Sequence, residues 1–324
     1  MKRAFGAAIA AFFCVSCTSP AGGARRSLVE AEGPRPWYTM LRPAGATPAE
    51  QLAHARALRD GGSVRRANRH YRALVASWPS SPEAPVALLE RARLLDARGR
   101  TEDAFEAYQE LTTQYPGLFP FSEVFGRQLA IAEGALKQRR LRFLFGGFAT
   151  PERAIPMLEQ LVLAAPSGED AARARLLLGQ AHEMNDDPAS AAIVYGEIEQ
   201  RHPSDPLAPE ASFRRAQCLL ALSRRAPGDR RLLEDATFAF ERFLRLYPDS
   251  DRAAAALNQR RALLARLAEM AWKEADFYDR RSARPTSAIG PYQRFLEQFG
   301  DTEWAPRARA RLEALQQQSS QEKP

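Results

Sequence analysis

One spacing recurs along the chain and constrains it more than any other feature. An alanine is followed four residues on by an aromatic or leucine, then three on by an apolar residue, then four on by a closing residue. A proline usually follows. The instances are Ala67/Tyr71/Leu74/Trp78/Pro79, Ala104/Tyr108/Leu111/Tyr115/Pro116, Ala154/Leu158/Leu161/Ala165/Pro166, Ala191/Tyr195/Ile198/His202/Pro203, Ala236/Phe240/Phe243/Tyr247/Pro248 and Ala288/Tyr292/Phe295/Phe299/Gly300. Offsets of four, three and four place these side chains on one face of an α-helix. Proline lacks an N–H and disfavours helix in the residue before it, so each run predicts a helix with a fixed end. The small alanine marks where two helices approach closely.

Between these stretches lie others with their own apolar stripe, among them Ala87–Leu95, Ala174–His182 and Ala211–Leu220. β-branched residues are few, no stretch alternates with period two, and Ala, Leu, Arg and Glu favour helix. The expectation is an all-α protein of about six helix pairs. Those pairs resemble tetratricopeptide repeats over roughly residues 47–315. Leu178-Gly179 and His182 sit where that family's first helix carries Leu-Gly and Tyr. The resemblance implies a stacked helical-hairpin solenoid, in which each pair buries its apolar face only against a neighbour. The instances are unevenly separated against an ideal period of about 34 residues. Long gaps, such as Ala104 to Ala154 and Ala236 to Ala288, predict extended helices or inserted loops. The stretch 118–150, aromatic and basic, reads either as a longer helix packing Phe143, Phe145 and Phe148 or as a partner-binding flap.

The chain opens MKRAFGAAIAAFF, a positive start and an apolar run too short to span a bilayer, which needs about 20 residues. It fits a secretory signal peptide, residues 1–16. Cys14-Val15-Ser16-Cys17 resembles a bacterial lipoprotein box, which implies lipidation of Cys17. The alternative is an ordinary signal peptide cut near Ala21 to Ala24. A redox C-x-x-C pair would sit beside a βαβ pattern, and none is visible. With Cys14 removed and Cys17 acylated, only Cys218 remains, and no disulfide can form. Residues 17–46 read as a lipidated cysteine and flexible tether, interrupted by Trp37 and Tyr38, and 316–324 as a disordered polar tail.

The net charge of +7 is carried mostly by arginine. Paired arginines such as Arg65-Arg66 and Arg139-Arg140 are interleaved with Glu and Asp and read as solvated helix faces. An exported chain does not meet nucleic acid, so none is expected as a partner. The four histidines, His54, His70, His182 and His202, lack metal-ligand spacing. Gly61-Gly62 and Gly146-Gly147 sit in no phosphate-loop pattern. Neither a cofactor, a metal nor an enzymatic reaction is expected.

The C-terminal part narrows the family. Leu267-Ala268, Ala275, Phe277-Tyr278, Arg281 and Asp301-Thr302 resemble the pattern of the BamD family of outer-membrane assembly lipoproteins. Gly300 stands where that family has proline, which leaves the sharpness of the last turn open. The resemblance implies tetratricopeptide-like repeats over 47–203, BamD-like repeats over 204–315, and a non-enzymatic role on the periplasmic face of the outer membrane. It further implies a β-barrel insertase and other assembly lipoproteins as partners, unfolded outer-membrane proteins as clients, and Trp272, Tyr278 and Arg281 in the partner-facing region. The rival reading is a generic periplasmic repeat scaffold, such as a cell-wall or division coordinator or a secretin pilot.

Overall fold

The computed structural model describes residues 42–144, 151–165, 167–168, 170–281 and 285–321. Cys14, Cys17, Trp37, Tyr38, Phe145 and Phe148 lie outside these residues, as do the side chains of Arg139, Arg140 and Phe143. Among the described residues the chain is all helical. The α-helices are α1 (Pro48–Asp60), α2 (Val64–Ser77), α3 (Glu83–Asp96), α4 (Thr101–Gln114), α5 (Phe121–Leu144), α6 (Ala154–Ala164) and α7 (Ala171–Met184). They continue with α8 (Pro188–Arg201), α9 (Ala208–Arg225), α10 (Arg230–Leu246), α11 (Ala253–Arg281), α12 (Ile289–Phe299) and α13 (Ala305–Gln321). Among the described residues the fold is an all-α tetratricopeptide-type solenoid of six helix pairs followed by α13. It divides into two compact units, Met1–Leu94 and Leu95–Pro324.

Each recurrence of the sequence pattern falls on an even-numbered helix. The aromatic or leucine at the second position, Tyr71, Tyr108, Leu158, Tyr195, Phe240 and Tyr292, is fully buried in all six. Burial of each such side chain stabilises by about 1.5–3 kcal/mol. Five of these helices end in one geometry. Trp78, Tyr115, Ala165, His202 and Tyr247 leave the helical region at φ −130 to −136° and ψ 52 to 78°. Each still donates its N–H to the carbonyl of the third pattern residue, as Tyr247 does to Phe243 at 2.8 Å. The following proline forbids helix at this residue, so the chain turns there.

The sixth helix lacks the proline, and Phe299 correspondingly stays helical. The end is sharp nonetheless. Gly300 is the cap, and a Cβ there would stand 2.7 Å from the carbonyl oxygen of Leu296. Thr302 N–H donates to the Phe299 carbonyl, and Arg309 Nη2 to that of Gly300 at 2.9 Å.

Among the described residues the long gaps in the pattern hold extended helices. α5 has 24 residues and α11 has 29. α11 packs against both α10 and α12, and buries Ala256, Leu263, Leu267, Ala268 and Ala275. The polar end expected to fray does not do so over 316–321: α13 runs to Gln321. Glutamine is a good helix former, and Leu315, fully buried, pins the helix just before it.

In the first unit, Gln51 is fully buried and joins three strands of chain. Its Oε1 accepts from Ala44 N–H at 2.7 Å and Gly45 N–H at 3.0 Å, and its Nε2 donates to the His70 carbonyl at 2.9 Å. Across the same unit Glu90 accepts from Arg56, Arg59 and Tyr71.

Candidate partner-binding surface

The end of α11 presents its residues in two directions. Offsets of four and three carry Trp272 onto the buried face with Ala268 and Ala275. Its indole stacks on Trp304 at 5.5 Å between centroids, and meets Tyr292 at 5.6 Å and Phe295 at 6.1 Å. Trp272 is therefore half-buried in the core that joins α11, α12 and α13. Tyr278 and Arg281 are exposed. The structure thus separates the three expected contact residues: one packs inward and two face out.

Phe277 joins the outward group. It is 59% exposed and stands edge-on to the ring of Tyr278, itself 43% exposed, at 5.9 Å. Two adjacent aromatic rings are thus exposed to water at the end of α11. Beneath them Asp279 accepts from Arg311 Nε and Nη2, both at 2.7 Å, and from Tyr292 O–H at 3.2 Å. The Arg311 guanidinium holds the Asp279 carboxyl below its ordinary range. This two-pronged pair ties α11 to α13 and gives the exposed rings a rigid base.

A second surface was not anticipated from the sequence. α4 and α6 bound a groove of about 680 Å³, with Phe105, Pro156 and Met157 among its apolar residues and Glu102, Glu106, Glu110 and Glu152 among its acids. The signal was present in the sequence, since Glu102, Glu106 and Glu110 recur at four-residue spacing and share one helix face. Arg153 bridges Glu102 at 2.9 Å.

Elsewhere the reactive side chains are packed away. The Cys218 thiol is buried, donates to Glu183 at 3.3 Å, and is pushed well above its ordinary pKa by burial and the neighbouring carboxylate. His202 closes α8 and accepts from Arg175 at 3.3 Å. Among the described residues no group of three His, Cys, Asp or Glu side chains could hold a metal ion. None of the described helices is long and apolar enough to cross a membrane.

Repeated hairpins with buried second-position aromatics, and exposed surfaces rather than an enclosed site, define a tetratricopeptide-repeat protein, whose family model matches residues 52–118. That architecture serves protein–protein interaction. The chain belongs to the BamD-like outer membrane lipoprotein family, whose model matches residues 149–323, more than half its length. Both families are non-catalytic scaffolds, and this one is associated with the outer membrane and its assembly.

No curated protein matches the chain. Similar solved structures include a tetratricopeptide repeat protein from Parabacteroides merdae, at 12% identity over 84% of this chain and 100% of that one, with a TM-score of 0.32. A thermophilic repeat protein from Thermus thermophilus is 19% identical over 65% of this chain and 99% of that one, TM-score 0.32. MamA from Desulfovibrio magneticus is 18% identical over 64% and 98%, TM-score 0.31.

Proposed function

We propose that the protein is a lipid-anchored scaffold of the outer-membrane β-barrel assembly machinery. In this reading Cys17 carries the acyl chains, and the folded body works on the periplasmic face. The C-terminal helices bind the barrel insertase and its companion lipoproteins, and the N-terminal repeats receive unfolded outer-membrane proteins for delivery. The observation that carries the reading is the family match over 149–323, which spans the exposed Phe277–Tyr278 pair and its Asp279–Arg311 base. Tyr278 and Arg281 are the contact residues, with Phe277 beside them. Trp272 supports the surface from within.

The test is affinity purification of the tagged protein from detergent-solubilised outer membrane, with partners identified by mass spectrometry. Stoichiometric recovery of a β-barrel insertase, lost in a Phe277→Ala/Tyr278→Ala variant that folds normally, is the expected result. Recovery of cell-wall or secretion proteins alone, with the insertase absent, would replace this reading with that of a general periplasmic scaffold.

A further inference from the structure

α2 is built against the rules that favour a helix. Its sequence, VRRANRHYRALVAS, holds no acidic residue. Arg65 and Arg66 stand in its first turn, at the positive end of the helix dipole, where cations are disfavoured. Ser63, at the cap position, makes no side-chain capping bond. Arg65, Arg69 and Arg72 follow at offsets of four and three and share one face, and Arg66 lies one turn from Arg69. Like charges at these spacings repel.

All four arginines are exposed, and none forms an ion pair among the described residues. Their neighbours on α1 behave differently: Arg56 is held by Glu90, and Arg59 by Asp60 and Glu90. Arginines across the second unit are also bridged, among them Arg127, Arg173, Arg214 and Arg252. Other arginines without an ion pair among the described residues, such as Arg224, Arg231, Arg245 and Arg307, lie on helices that also carry Asp or Glu, whereas α2 carries neither. A local violation with no internal compensation points to an external partner.

Charge complementarity, together with the family's association with the outer membrane, says which partner. Gln51 clamps Ala44 and Gly45 against the carbonyl of His70, the residue next to Arg69 on α2. A Cβ on Gly45 would stand 2.5 Å from the Gln51 backbone nitrogen, so this approach is close.

We propose that the arginine face of α2 docks on an anionic bilayer, with Arg65, Arg66, Arg69 and Arg72 contacting the phosphate groups of acidic lipids. The planar guanidinium fork matches phosphate oxygens in pairs. Each arginine near such a surface strengthens partitioning by roughly fivefold. The attraction decays within about 10 Å at moderate salt, so the face must reach the bilayer surface itself. The inference rests on the outer-membrane reading above, but not on acylation of Cys17.

The experiment uses the full chain carrying Cys17→Ser, floated with vesicles of phosphatidylglycerol mixed equally with phosphatidylcholine, or of phosphatidylcholine alone. The leader, apolar with a positive start, is the same in every variant, so the difference between variants reports the charged face. The expected result is a preference for anionic vesicles that falls on the order of a hundredfold or more in Arg65→Gln/Arg66→Gln/Arg69→Gln/Arg72→Gln. A variant of equal charge change, Arg224→Gln/Arg231→Gln/Arg245→Gln/Arg307→Gln, retains it. Circular dichroism checks that both variants fold. Equal binding to the two vesicles, or an equal loss in both variants, overturns the proposal. The intact mass of the wild-type mature protein reports acylation separately, so failure of the anchor and failure of the docking face are told apart.

Discussion

Gly179 on α7 lies directly under the ring of Tyr195 on α8: a Cβ at Gly179 would stand 2.4 Å from Cε1 and 2.6 Å from Cζ. Both residues are buried, and Tyr195 is one of the recurring second-position aromatics. The two helices pack at this distance because one of them has no side chain there. Gly179→Ala should therefore destabilise the protein by about 1–3 kcal/mol through overpacking, read as a lower denaturation midpoint. An alanine that leaves the midpoint unchanged would mean that the ring can move aside.

Trp272 and Tyr278 should separate stability from binding. Trp272→Ala removes the ring shared by Tyr292, Phe295 and Trp304 and should cost about 3 kcal/mol. Tyr278→Ala and Arg281→Ala, on the exposed side, should change the melting temperature little and weaken recovery of the insertase. Melting curves and pull-downs on the same three variants check this.

The Asp279–Arg311 pair should be coupled. Asp279→Asn leaves Arg311 without its carboxylate and should cost about 2 kcal/mol. A double-mutant cycle with Arg311→Ala should recover a coupling energy of similar size. Because Arg311 lowers the Asp279 pKa in the folded state, the stabilisation is complete above the ordinary aspartate value. It is lost as pH falls through the folded one.

Histidines set a milder and earlier acid effect. Burial, followed by the Arg175 guanidinium, lowers the pKa of His202, and burial likewise lowers that of His70. The unfolded chain therefore takes up these protons first. Stability should begin to fall as pH drops below about 6.5, the ordinary histidine value, and level off below the folded values. His202→Gln should flatten part of that decline in denaturant titrations at a series of pH values.

Gln51→Ala should release the entering chain. The Ala44 and Gly45 amides lose their acceptor, and the His70 carbonyl loses its donor. Hydrogen exchange at Ala44 and Gly45 should accelerate more than exchange in α2, since the loss is local.

The repeat faces were legible because a helix writes its period into the sequence, and the helix ends because proline forbids the preceding residue from continuing. Trp272 was legible too, through its offsets from Ala268 and Ala275, but the family resemblance drew it toward the partner instead. Tyr278 lies three residues beyond Ala275 and by period alone belongs on the buried face. It is exposed because burial depends on which neighbours reach the end of α11, which no local spacing encodes. The acidic groove depends on α4 and α6 coming together, although its three spaced glutamates were in view. The helix over 316–321 was not legible because composition says little about a helix already anchored at Leu315.

α11 spans 29 residues, about 44 Å of continuous helix, and contacts the helix before it and the helix after it. Most repeat arrays can be unzipped one hairpin at a time, because each border between hairpins is a separate joint. Here the helix at that border is more than twice as long as α12, so one rod runs on past the joint. Force or denaturant applied at α13 should not peel away a lone hairpin, but bring down α10 to α13 in one cooperative step, so that this end of the array behaves as a rigid lever rather than a flexible tail.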